Sequence, residues 1–76
     1  MAAFVNFVGR PQGAKIFLDD AEIGVLPLYS YMIKWGKYLI RVQMEGYEPE
    51  YREDFRVFKT DRKKTVVINL NKKPLL

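Results

Sequence analysis

The sequence predicts an all-β fold, a small antiparallel β-sandwich or partly closed barrel of about seven short strands. Three observations predict it. Apolar residues recur with period two along most of the chain, and no window holds the 3.6-residue period of an amphipathic helix. Gly, Pro, Asp and Asn punctuate these runs about every ten positions. The 76 residues, 49% of them hydrophobic, suffice for one core, so 1–76 is a single domain with no linker, internal repeat or low-complexity segment.

Each element follows from its residues. Val5 to Val8 is a short run that ends at Gly9, and Arg10-Pro11-Gln12-Gly13 turns the chain, Pro fixing φ and Gly permitting a positive one. Ala14, Ile16 and Leu18 then share one face of a strand, with Lys15 and Phe17 on the other. Asp19 to Glu22 forms a polar hairpin turn into a strand at Ile23 to Val25, which Leu26-Pro27 ends because proline cannot donate to a ladder. Leu28 to Lys34 is a strand of mixed faces. In a regular strand Tyr29 and Tyr31 point the same way, whereas one inward and one outward is the alternative; both stand.

Trp35-Gly36-Lys37 turns the chain into Tyr38 to Glu45, the longest regular run, with Tyr38, Ile40, Val42 and Met44 inward and Arg41, Gln43 and Glu45 toward water. Gly46-Tyr47-Glu48-Pro49 breaks it. Tyr51 to Phe58 resumes with Tyr51, Glu53, Phe55 and Val57 on one face and Arg52, Asp54, Arg56 and Phe58 on the other. After the polar Lys59 to Lys63, Val66, Ile68 and Leu70 share a face of the last strand, and 71–76 reads as a frayed basic tail.

Composition narrows function. No stretch reaches the roughly 18 to 20 apolar residues of a membrane span, and MAAFVNFVGR lacks the basic start and long apolar run of a signal peptide. The chain therefore reads as soluble. Its lack of cysteine fits a reducing compartment and an exported domain equally, which leaves localisation open. Without His or Cys, and with Ser30 as the one serine, no nucleophile-and-base pair is available. The carboxylates Glu48, Glu50, Glu53 and Asp54 alternate with Tyr51 and Arg52 in a solvated strand entry. Asp19-Asp20 offers few converging oxygens where calcium takes about 6 to 8. No catalytic residue, metal site or cofactor is expected.

The net charge of +4 is uneven. Residues 1–55 hold six Lys/Arg against eight Asp/Glu, whereas 56–76 hold seven against Asp61 alone. Arg56, Lys59, Arg62, Lys63 and Lys64, with Lys72 and Lys73 beyond them, are candidates for nucleic-acid or anionic-polymer binding. Lysines at turns and edges also keep sheets from pairing with strangers. The aromatic residues crowd the middle of the chain instead. Trp35, Tyr29 and Tyr31, beside Lys34 and Lys37, are candidates for an exposed partner-binding anchor, and packing is the competing reading of each.

The order Pro11-Gln12-Gly13-Ala14, Ile16-Phe17-Leu18-Asp19, Ile23-Gly24, Pro27-Leu28, Gly36-Lys37-Tyr38, Ile40-Arg41-Val42 and Gly46-Tyr47-Glu48-Pro49 closely resembles the PEGA domain, over roughly residues 5–70. The name-giving tetrapeptide here reads Pro-Gln-Gly-Ala. Leu26 stands where the family often has Thr, and Trp35 where it commonly has Pro; both add apolar bulk. The resemblance implies a small β-sandwich of bacterial and archaeal cell-surface proteins, often appended to other modules, with no settled enzymatic activity. The expected role is a non-catalytic protein-interaction or structural module. It would dock through the Trp35 turn and an exposed sheet edge into a larger assembly, a cell envelope or a phage or secretion particle. Anionic-polymer binding by the basic end and saccharide binding by exposed aromatics are the alternatives.

Overall fold

The computed structural model describes residues 2–74, which form seven strands in two sheets packed as a sandwich. In chain order they are β1 (Ala2–Arg10), β2 (Lys15–Leu18), β3 (Ala21–Val25), β4 (Leu28–Lys34), β5 (Gly36–Gln43), β6 (Glu50–Val57) and β7 (Lys63–Asn69). One sheet runs β4-β1-β7 and the other β3-β2-β5-β6. The two are not closed into a barrel. All pairings are antiparallel except β1 with β7, which is parallel from Phe4↔Lys63 to Arg10↔Asn69.

The core lies between the sheets. Ala3, Val5, Phe7, Ile33, Val66 and Ile68 from one sheet meet Ala14, Ile16, Ile40, Val42 and Val57 from the other, and Leu26 seals the side between β3 and β4. Leu26 is thus a core residue, held by its N–H on the Ala14 carbonyl and by its own carbonyl accepting from Gly13.

Several strands depart from the sequence expectation, each for a physical reason. β1 is the longest strand and passes through Gly9, where the expected run stopped. Gly9 lies against β7: a Cβ there would sit 1.7 Å from the Ile68 carbonyl oxygen, at a φ of 142°. The β2–β3 hairpin turns on Asp19 and Asp20 alone, both at positive φ, so β3 begins at Ala21. Trp35 alone links β4 to β5 and carries the chain from one sheet to the other. Met44, expected inward, lies beyond the end of β5 and is exposed.

Bulges account for the remaining differences. Between Tyr38↔Phe55 and Ile40↔Arg52, β6 carries one residue more than β5. The inward set on β6 is therefore Glu50, Arg52, Phe55 and Val57, correcting the alternation expected from Tyr51 onward. The expected fraying also fails for Asn71 to Lys73: Glu48 donates to the Asn71 carbonyl at 2.8 Å, Lys73 to the Gly46 carbonyl at 3.0 Å, and Lys72 bridges Tyr47. Leu75 and Leu76 lie outside the described residues.

Candidate functional site

The outer faces of the two sheets differ in what they offer a partner. On β1 the odd residues from Ala3 to Phe7 enter the core, which turns Phe4, Asn6 and Val8 outward. Phe4 pairs with Met32 of β4 and Lys63 of β7, and Val8 pairs with Val67. Tyr29 is 64% exposed, Met32 62%, Val67 53% and Phe4 49%, all on this three-stranded face. Lys34, Lys63 and Arg10 stand at its margins, and no outward residue of its strands is acidic. These are apolar side chains with cations around them.

A bulge in β4 settles the two tyrosines. Asn6 lies opposite both Tyr29 and Ser30, because Val5 pairs with Tyr31 and Phe7 with Leu28. Ser30 has φ 54°, and its N–H donates to Asn6 Oδ1 at 2.8 Å. The extra residue puts Tyr29 in solvent while Tyr31 packs against the core.

Trp35, 44% exposed, occupies the corner between the sheets. The Tyr38 hydroxyl holds that corner by donating to the Lys34 carbonyl at 2.7 Å. Gly36 pairs with Val57, which brings Trp35 and the exposed Phe58 to one end of the sandwich. Of the five sequence candidates for partner binding, Tyr29, Lys34 and Trp35 lie along the apolar face and its corner. Tyr31 points inward, and Lys37 belongs to the other sheet.

That other sheet uses its charges internally. Asp54 accepts from Arg56 at 2.9 Å and lies 3.8 Å from Lys37. The Arg41 guanidinium stacks 4.2 Å from the Phe17 ring centre, and its buried Nε has no hydrogen-bond partner among the described residues. Glu50 accepts from Arg52 Nε at 2.7 Å. Two members of the acidic cluster of β6, Glu50 and Asp54, are therefore engaged in ion pairs. Asp19, the other acidic candidate, accepts the Leu39 N–H at 2.7 Å and prolongs the β2–β5 ladder with its side chain.

The basic candidates also divide. Arg56 is paired to Asp54, and Lys64 lies 3.4 Å from Asp61 and over the Phe55 ring. Asp61 caps the β6–β7 loop: its carboxylate accepts the Phe58 N–H at 2.7 Å. That bond, and secondarily the Lys64 charge, holds the Asp61 carboxyl below its ordinary pKa. Among the described residues, Lys59, Arg62 and Lys63 form no ion pair. Their loop adjoins the Trp35 corner, so folding brings basic and aromatic candidates to one end although they are far apart in sequence.

Sequence reasoning missed Phe4, Met32 and Val67. Their signal was present as apolar residues on the outward parity of strands whose inward parity is also apolar.

The family model described as PEGA domain matches residues 8–74. No curated protein and no solved structure matches the chain. No helix is long and apolar enough to cross a membrane.

Proposed function

This chain belongs to the PEGA domain family, and from that premise we propose that it is a non-catalytic docking module, joined to a larger assembly through the outer face of β4-β1-β7, the Trp35 corner and a strand edge. The assembly is a cell envelope or a particle such as a phage or secretion device. One observation carries the reading: Phe4, Tyr29, Met32 and Val67 are exposed together on one sheet face. Arg10, Lys34 and Lys63, which form no ion pair among the described residues, frame them. The surface that fits is a protein patch with an apolar centre and a carboxylate rim.

Affinity capture from the native source tests this, using wild type, Trp35→Ala and the double variant Phe4→Ser/Met32→Ser, each washed at low and high salt. A defined protein that survives high salt and is lost with the variants supports the reading. Equal capture by folded variants would sink it.

A second reading has its own support in Lys59, Arg62 and Lys63, which lack carboxylate partners among the described residues beside exposed Phe58. Phosphate contacts release counterions, so an anionic polymer would be stripped by salt whatever residue stands at position 35. That pattern would move the site to the β6–β7 loop.

A further inference from the structure

A sandwich of two open sheets has four edge strands, here β3, β4, β6 and β7. Three of them are blunted. The registers of β3, β4 and β6 each break at a bulge, opposite Ile16/Phe17, Val5/Phe7 and Tyr38/Ile40 of their partners. Bulges twist an edge away from a straight incoming strand. β7 alone keeps an unbroken register along its full length, Lys63 to Asn69, and contains no proline.

The hydrogen-bonding parity of β7 is fixed at both ends. Arg62 gives its carbonyl to Phe4, and Leu70 gives its N–H to Arg10. Even-numbered residues therefore face β1, and Lys63, Thr65, Val67 and Asn69 aim their N–H and carbonyl groups at the open side. A groove lies there between β7 and β6, lined by Arg52, Phe55, Val66 and Val67 among others. Arg52 spans it, Nη2 donating to the Val67 carbonyl at 3.0 Å.

Resting on the docking reading above, we infer that β7 is the edge through which this module takes its partner, by adding an extended partner segment as a further strand with Arg52 as the removable cover of the Val67 carbonyl. Charge and side-chain pattern specify the segment. Opposite Lys63, which has no ion pair among the described residues, it carries a carboxylate. Opposite Val67 and into the groove against Phe55 it carries apolar side chains. Main-chain bonds supply affinity and the alternating side chains supply specificity.

The probe is a capped synthetic peptide alternating threonine and valine and ending in two aspartates, compared with the same peptide ending in two lysines. Amide hydrogen exchange on the whole chain is the readout. In the free protein Thr65, Val67 and Asn69 exchange fast, whereas Val66 and Ile68 are slow. Adding the aspartate peptide slows the three odd-numbered amides at least about tenfold, and the lysine peptide binds more weakly. Thr65→Pro removes an outward N–H without touching the β1 ladder or the apolar residues of the docking face and abolishes binding; Asn69→Pro serves the same purpose if the first variant does not fold. Arg52→Gln uncovers the Val67 carbonyl and tightens binding several-fold.

Unchanged exchange at Thr65, Val67 and Asn69 with saturating peptide overturns the inference. So does slowing of these amides with protein concentration alone, which would make a second copy the occupant. Neither result touches the docking face, whose own test is loss of capture with Phe4→Ser/Met32→Ser. A partner captured by wild type and by folded Thr65→Pro alike would keep the docking face and discard the strand edge.

Discussion

The two outer faces of this sandwich are built from the same strand geometry and opposite chemistry. On β3-β2-β5-β6 the central charged groups have partners within the chain, Arg41 on Phe17 and Lys37 and Arg56 on Asp54, and the exposed apolar residues Val25 and Tyr51 stand apart on its two edge strands. On β4-β1-β7 the prominent groups, Phe4, Met32, Val67 and Tyr29, are left to solvent. A face that satisfies itself gains little from a partner, while apolar area left in water is what association removes. The difference teaches that net charge says little about how surface chemistry is divided between the two faces. Its carboxylates pair Lys37, Arg52 and Arg56 on one sheet, and the other sheet keeps Arg10, Lys34 and Lys63 at its rim.

The sharpest way to break the comparison is to remove the strand the apolar face is built around. Gly9→Ala places a methyl group against the Ile68 carbonyl at a φ that L residues rarely adopt, and neither backbone can yield without losing the β1–β7 pairing. A loss of at least about 3 kcal/mol is expected in urea unfolding, a large fraction of the stability of so small a domain. A fully stable Gly9→Ala would mean that the parallel contact does not hold the face together.

A matched pair sharpens it next. Phe17→Ala removes a half-buried ring and the seat of Arg41, for a loss of about 1 to 2 kcal/mol with capture of the partner unchanged. Phe4→Ala removes a half-exposed ring, for a loss under about 1 kcal/mol with weakened capture. If thermal melts and capture assays return the opposite assignment, the faces have been read the wrong way round.

Smaller effects test the self-satisfied face. Asp54→Asn is expected to cost about 0.2 to 1 kcal/mol, since both its cations are exposed, and the deficit should fade in high salt. The smallest effect is a pH dependence at the loop. Asp61 is held below its ordinary pKa, so its contribution is complete above the unfolded value and lost as pH falls through the folded one. The stability gap between wild type and Asp61→Asn should stay constant from neutrality to about pH 5 and close below about pH 4. A gap that widens on acidification would reverse the sign.

What the sequence made legible, and what it hid, follows the same division. The strands around β5 were readable because their inward apolar residues alternate with Arg41 and Gln43, which point to water. β1 was cut short at its start because Phe4 fills an outward position with an apolar residue, which erases the period-two signal where the exposed apolar face begins, and at its end because Gly9 reads as a stop. Tyr29 and Tyr31 were left open because spacing alone cannot reveal a bulge; the split comes from Asn6 across the sheet, which holds the Ser30 N–H. The shift in β6 was hidden likewise, since Glu53 and Asp54 read as ordinary alternation until set opposite Leu39. Trp35 and the basic loop could be found one by one, but their adjacency arises from the pairing of Gly36 with Val57, a contact between distant parts of the chain.

The parallel pairing of the first and last strands has a mechanical consequence. β1 and β7 run the same way, from Phe4↔Lys63 to Arg10↔Asn69, so the start of one and the end of the other lie at opposite ends of the sheet. A pull transmitted through both would slide the two strands past each other and load their ladder of hydrogen bonds together. In a hairpin pulled from its open end, the bonds would fail one after another. The joint that closes this small domain is thereby set in shear, the geometry suited to a module through which tension passes.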